Sequence, residues 1–272
     1  MSQRFFDCID WKRPWLAPLI PAAKPVIGAP DWREALNAAA CGSGLRNHLG
    51  LPIRFVAQSD LPNGLAYEAH IGATGRVPTR DNLHDFFNAL TWLTFPSIKS
   101  RLNALQAREI ERAASSAASS ADTGSEGRGK LRDAATIFDE NSALLITANS
   151  ALVDDLRNRR WQSAFLDRRQ SFGLDCSVWL FGHAIQEKLT APYKAITAHS
   201  WVVPASADFF SMSVSKQRAW IDSSVGAQLS GGLVTADFTP LPVLGIPGWF
   251  EVQDADFYND AKVFRPLRRF HL

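Results

Sequence analysis

The chain has 272 residues, 46% of them hydrophobic and 21% charged, the balance of a globular protein with a sizeable core. Nine tryptophans and seventeen phenylalanines indicate that large aromatic side chains do much of the packing. Twenty-nine basic against 27 acidic residues leave a net charge of +2, so any nucleic-acid contact requires a local patch. No window reaches the ~18–20 apolar residues of a membrane span, and the N-terminal MSQRFFDCIDWKRPWLAPLI lacks the features of a secretion signal. Cys8, Cys41 and Cys176, odd in number and far apart, fit a reducing cytoplasm and exclude a CxxC motif.

In chain order, residues 1–50 are rich in Pro and Trp and are expected to wrap the surface around one short helix at 31–40, capped by Asp31. RFVAQ (54–58) and LAYEAHI (65–71) read as strands separated by a turn at 60–64. PTRDNLHDFFNALTWLTFP (78–96) reads as a helix, and Pro96 opens a second one. Residues 114–130, ASSAASSADTGSEGRGK, carry almost no apolar bulk and are expected to form a flexible loop within a single domain, 1–272. Its end, GSEGRGK, imitates a phosphate-binding loop, but no strand precedes it and Leu131 stands where Ser or Thr would hold magnesium.

LRDAATIF predicts a short helix, DENS a turn and ALLITA (143–148) a strand; NSALVDDLRNRRWQSAFLDRR predicts a helix capped by Asn149 or Ser150. DCSVWLFGHAIQEKLT (175–190) reads as an apolar helix with Cys176 near its start, and AITAHSWVV (195–203) as a strand. VSKQRAWIDSSVGAQLSGG predicts a helix stopped by two glycines, followed by a proline-rich, mostly irregular C-terminal region. Helices outnumber strands without regular alternation. The expected class is therefore α+β: a helix-rich domain with a small sheet and long irregular Pro/Trp-rich termini.

Three constellations carry candidate chemistry. In 82–95, Leu83, Phe86, Phe87, Leu90 and Leu93 form a buried stripe, while His84 and Asn88 lie four apart on another face beside Asp85. Asn82 and Asp85 also suit a capping box, which would make them structural. Asp139, Glu140 and Asn141 are consecutive acceptors at a helix-to-strand corner, able to bind a divalent cation or to make a plain solvated turn. His183 and Glu187 lie four apart on an apolar helix, a pairing that suits a general base with its orienting carboxylate. Neighbouring Gly182 would permit close approach of another backbone. His199 is a further candidate on a strand, and Cys176 is better read as a buried, inert thiol.

YEAHIGATGRVPTRDNLH superficially matches the hairpin-plus-helix of ββα-metal nucleases, with His70, Asn82 and His84 in place, but no second helical ligand is evident. RNRRWQSAFLDRR (157–169) sets five arginines around Trp161, and RPLRRF near the end adds three, a pattern suited to phosphate and base contact. Asp154, Asp155 and Asp167 dilute that patch.

YEAHI with GRVPTRDNLHDFFNALTWLTFPSIKSRLN, then RDAATIFDEN, FGHAIQEKLTAPY, TAH, PLPVLGIPGW, FYND and VFRP, together resemble a bacterial family catalogued as domain of unknown function 3025. The resemblance spans Tyr67 to Arg265 and implies a soluble bacterial protein with the fold of its relatives, and no particular activity. Ser142 follows Asn141 where the pattern leads one to expect glycine, which matters if that turn needs a positive φ. His84, Asp85, Asn88, Arg132, Asp139, Glu140, His183, Glu187 and His199 fall inside the matching pieces, and the basic stretch falls mostly outside them.

The leading expectation is a hydrolase-like enzyme acting on a small polar substrate. Its catalytic set is His84, Asp85, Asn88, His183, Glu187 and His199, with His183 as base. Asp139 and Glu140 are the expected ligands of a candidate divalent metal, with Arg80 and Arg132 as substrate contacts. A non-catalytic binding or scaffold protein with a buried polar network, and a nucleic-acid-associated protein using the arginine stretch, are the alternatives.

Overall fold

The structure, a computed structural model, describes residues 4–118 and 125–267. In chain order the elements are α1 (Ile20–Ile27), α2 (Trp32–Gly42), β1 (Arg54–Ala57), α3 (Tyr67–Thr74), β2 (Arg76–Thr79), α4 (Leu83–Thr94), α5 (Pro96–Ala118) and α6 (Ser125–Asn141). They continue with β3 (Ser142–Thr147), α7 (Ser150–Arg157), the kinked turn α8 (Ser171–Leu174), β4 (Cys176–Leu180), α9 (His183–Lys188) and β5 (Thr197–Pro204). The C-terminal part adds α10 (Ala207–Ser211), α11 (Val214–Gln228), β6 (Phe238–Pro242) and α12 (Ala255–Tyr258). The class is α+β, as expected. No helix among the described residues is long and apolar enough to cross a membrane.

Four strands form one sheet in the order β4-β3-β5-β6, in which β3 runs antiparallel to β4 and parallel to β5, and β5 runs antiparallel to β6. The central strand SALLIT is buried at all six positions, as a strand covered on both faces must be. Its alternation divides the core. Ala143 and Leu145 face a cluster with Phe86, Phe87 and Leu90 of α4, whereas Leu144 and Ile146 face Phe95, Ile98, Phe138 and Phe181. A separate parallel pair, β1 with β2, lies in front of α4.

Several expected boundaries shift for identifiable reasons. Residues 65–71 do not form a strand. Leu65, Tyr67, Ala69 and Ile71 alternate, but Tyr67, Ile71 and Thr74 also recur at helical spacing, and the helix wins by packing on α5. Gly75, at φ 71°, ends that helix in the left-handed conformation and opens β2 instead. The hairpin needed for a ββα-metal nuclease is therefore absent, and His70 is buried within α3.

The 175–190 stretch is not one helix. Cys176–Leu180 is a strand paired with β3, because a short apolar run carries no period to tell strand from helix. Cys176 is fully buried on that strand, and burial pushes its thiol up to about 12, so it is inert.

Asp139, Glu140 and Asn141 are not a turn but the last residues of α6, and β3 starts at the next residue. Arg159 is the only non-glycine residue with positive φ among those described, so Ser142 meets no backbone demand for glycine. The N-terminal segment does not merely wrap the surface. It carries α1 as well as the Asp31-capped α2, and Phe6, Trp15, Leu16 and Leu19 enter the core. The C-terminal region contributes the edge strand β6.

Helices α5 and α6 enter the 114–130 stretch from either side, while 119–124 lie outside the described residues. Of GSEGRGK, Ser125–Lys130 begins α6, and Gly124 lies outside.

Candidate functional site

Three chain segments are pinned together at Gly182. Its N–H and that of Phe181 donate to Ser142 O at 3.0 and 3.2 Å, joining the β4–α9 corner to the α6–β3 corner. A Cβ on Gly182 would stand 2.5–2.6 Å from Ser142 N, Asn141 N and Glu140 C, which real packing does not allow. The close approach expected from sequence is thus present. The third segment, α4, is tied in by the buried Gln186, whose amide donates to Leu180 O and Phe181 O at 3.1 and 3.3 Å and whose Oε1 lies 3.3 Å from Thr91 Oγ1 of α4.

These ties place His183, the first residue of α9, over the last turn of α6 and against the first turn of α4. His84 Nε2 and His183 Nε2 are 3.0 Å apart. Glu140 Oε2 completes a triangle at 3.4 Å from His183 Nε2 and 3.9 Å from His84 Nε2. Each histidine has a carboxylate on its other nitrogen. Glu187 Oε2 lies 3.1 Å from His84 Nδ1, and Asp139 Oδ1 lies 3.8 Å from His183 Nδ1. His183 is nearly enclosed at 4% side-chain exposure, while His84 and Glu140 are about one-third open, at 31% and 30%, so the triangle has one wet edge.

The protonation pattern follows from these partners. A carboxylate can only accept, so His84 Nδ1 carries a proton toward Glu187, and in the neutral ring Nε2 then presents a lone pair. Burial drives the His183 imidazole down to about 3, well beyond the opposing pull of Asp139, so this ring is neutral. Its Nδ1 is buried without a hydrogen-bond partner. Glu140 is raised above the ordinary carboxylate range by burial and then by Asp139. Burial acts upward on Asp139 as well, but the Lys99 ammonium 2.6 Å away outweighs it, and the carboxyl stays below the ordinary range.

Around this centre stand the remaining candidates. Asn82 caps α4 through Asp85 N at 2.8 Å, as expected, but Asp85 does not close a capping box. Its carboxylate instead takes Arg80 N, Nε and Nη2 at 2.6, 3.0 and 2.9 Å, which immobilises an arginine that is still 57% exposed. Asn88 donates to Tyr67 Oη at 3.0 Å rather than joining His84. Glu187 serves His84, not His183 as its spacing suggested, because His183 occupies the first helical position and turns back toward α6. His199 lies exposed on β5 against Phe238, and Arg132 is exposed on α6; no described hydrogen bond or ion pair links either side chain to the triangle.

Lys99 and Gln186 are neighbours of the triangle that the sequence alone does not single out. Lys99, Asn103 and Gln106 are all buried and repeat at helical spacing next to the Ile98 and Leu102 stripe of α5, a signal that this helix has a polar buried face. The arginine stretch behaves differently. Arg160 and Arg168 bind Asp155 at 2.6 and 2.7 Å, and Arg169 donates to Gln253 O at 3.0 Å. Arg159 donates to Pro266 O at 3.4 Å, while Arg268 and Arg269 lie outside the described residues.

The chain belongs to the family described as Protein of unknown function (DUF3025), which matches residues 53–268 and so contains every residue of the triangle and its outer partners. No curated protein and no solved structure matches the chain.

Proposed function

We propose that this family member is a metal-dependent hydrolase of small polar substrates, with a divalent ion held by His84 Nε2, His183 Nε2 and Glu140. One observation carries the reading: two imidazole nitrogens and a carboxylate oxygen face one another, each histidine backed by a carboxylate of its own. Ligands at about 2.0–2.1 Å from a tetrahedral ion stand about 3.3 Å apart. The separations of 3.0, 3.4 and 3.9 Å bracket that value.

Proton placement supports the same reading. Without a cation, neither His183 tautomer is fully met: a proton on Nε2 leaves the Nδ1 lone pair buried opposite the Asp139 carboxylate, and a proton on Nδ1 sets two Nε2 lone pairs 3.0 Å apart beside Glu140. With a cation, His183 carries its proton on Nδ1 toward Asp139, and both Nε2 lone pairs and Glu140 face the charge. The carboxylate–histidine–metal arrangement is the usual outer shell of such ions. Asp139, Glu140 and Glu187, with Glu68 near enough to act on Asp139 and Glu140, outnumber the Lys99 ammonium and the Arg80 guanidinium, a local negative surplus that a divalent ion offsets.

This reading reassigns roles. His183 becomes a ligand rather than a base, and Asp139 an outer partner rather than a ligand. A divalent ion in this set supplies Lewis acidity and brings a bound water's acidity into the neutral range. His84 and Glu140 form the edge open to solvent, where substrate enters. Arg80, fixed by Asp85 in a two-pronged contact, offers a preorganised cation for an acidic group on the substrate. The three unpaired cysteines suit a reducing compartment.

The test is metal analysis of the purified chain with zinc and cobalt titration. One ion per chain is expected, with hydrolysis of simple esters or phosphoesters abolished by chelation and restored by metal. His84→Ala, Glu140→Ala and His183→Ala should each weaken binding by more than the ~10- to 100-fold typical of an outer-shell loss. A chain that takes up no metal, or a His183→Ala variant with wild-type metal content, overturns the reading.

A further inference from the structure

Lys99 is the least expected group in this neighbourhood. It lies on α5, its side chain is 4% exposed, and its Nζ has one hydrogen-bond partner among the described residues, Asp139 Oδ1 at 2.6 Å. The same Asp139 oxygen stands 3.8 Å from His183 Nδ1. Beyond the ion pair, the ammonium lies 5.4 Å from the Trp92 ring centroid. Taking a lysine out of water is costly, and an apolar residue of similar volume usually serves packing as well or better. Packing alone therefore does not account for this ammonium, whereas its position one residue behind His183 does.

We infer that Lys99 is the positioning residue of the metal centre: it locks Asp139 in place so that His183 keeps its proton on Nδ1 and offers Nε2 to the ion. This rests on the metal reading above. The geometry is directional. Lys99 approaches Asp139 Oδ1 from α5, His183 approaches the same oxygen from α9, and Asp139 itself sits at the end of α6, so the ammonium fixes a carboxylate at the meeting point of three helices. Oxygen Oδ1, already taken by Lys99 Nζ, lies 3.8 Å from His183 Nδ1 and stays that close only while it is held at that point. Released from Lys99, the carboxylate is free to turn, and His183 loses the partner that selects its tautomer.

The fixed charge also bears on metal number. Lys99 Nζ already occupies Asp139 Oδ1 at 2.6 Å, so an ion bridging through that oxygen would have to displace it. The centre is thus built for a single ion rather than a bridged pair, and cobalt titration of the wild-type chain should saturate at one equivalent.

The test uses the full chain as Lys99→Met, Lys99→Arg and the double variant Lys99→Met/Asp139→Asn. The double variant removes both charges together, so it carries the test where Lys99→Met leaves Asp139 buried without a counter-charge and fails to fold. Two readouts are taken: cobalt affinity from visible absorption, and the His183 tautomer from imidazole ¹⁵N shifts of the metal-free protein. In wild type the His183 proton is expected on Nδ1. Lys99→Met and the double variant should move it to Nε2 and weaken cobalt binding about 10- to 100-fold. Lys99→Arg, which retains a cation, should stay near wild type in tautomer.

Folded variants that keep both the wild-type tautomer and wild-type cobalt affinity overturn the inference while leaving the metal site standing. A wild-type chain that binds no cobalt overturns the metal site and this inference with it. Saturation at two equivalents overturns the single-ion assignment.

Discussion

Two regions of this protein gather charged side chains around a buried carboxylate, and they resolve their charges in opposite ways. At Asp155 every demand is met. Arg160 Nε takes one oxygen at 2.6 Å, Ser163 Oγ and Arg168 Nε take the other at 2.7 Å each, and the chain turns through Arg159 at φ 53° to bring them there. Around His183 the demands are not met. Two imidazole nitrogens meet nose to nose, Glu140 approaches without a donor of its own, and His183 Nδ1 has no hydrogen bond. A satisfied cluster stabilises the fold and needs nothing further. An unsatisfied one, held rigidly by Gly182 and Gln186, has the arrangement that the proposed ion would complete.

The largest way to test that contrast is to loosen what holds the second cluster. Gly182→Ala sets a methyl against the backbone of residues 140–142, so we expect about 3 kcal/mol of destabilisation, at the upper end of overpacking effects, together with loss of metal uptake. Chemical denaturation and metal content measure both, and a silent Gly182→Ala would mean the corner does not position the site.

Asp155→Ala strikes the first cluster. Arg160 and Arg168 are 53% and 35% exposed and can turn to water, which discounts the loss to about 1–3 kcal/mol. Metal affinity should not change. A shift in metal binding here would erase the distinction between the regions.

Glu187→Gln keeps the shape of the outer partner but weakens its pull on His84 Nδ1. Calorimetric zinc titration should show a loss of about tenfold, with unfolding stability altered by less than ~0.5 kcal/mol. An unchanged affinity would remove Glu187 from the shell.

The smallest effect is in acid. Burial alone would raise the Asp155 carboxyl, but hydrogen bonds from Ser163, Arg168 and Arg160 outweigh it and hold it below the usual range. Its contribution is therefore present above the unfolded aspartate value of about 3.9 and fades as pH falls through the lower folded value. Melting temperature between pH 2 and 5 should fall less steeply in Asp155→Asn than in wild type, and parallel curves would deny the linkage.

Much of the site was legible in residues with local rules. Asn82 caps α4, the Phe86, Phe87 and Leu90 stripe is core, and ALLI is a buried strand, because capping and periodicity are decided within a few residues. That His84, Asp139, Glu140 and His183 share a neighbourhood was anticipated from their place in the matching stretches, and the structure brings them together.

What escaped reading depends on distant partners. Glu187 sits four residues from His183 yet serves His84, since the direction in which α9 leaves Gly182 is set by the α6–β3 backbone and not by α9 itself. Tyr67–Thr74 satisfies both periods, and only packing on α5 chooses the helix. Lys99 looks like any surface lysine until its helix is seen to bury two faces.

The parallel pairing of β3 with β5 carries a kinetic consequence. Such a pair forms only after the intervening chain, with β4 and α9, has crossed over, and the site's own bonds span 99 and 103 residues of sequence. High contact order of this kind delays assembly, because loop closure must precede any reward. The histidine pair is therefore expected to close late in folding. No isolated hairpin or helix of the chain can present it, and its appearance in a refolding experiment would time-stamp the arrival of the native topology.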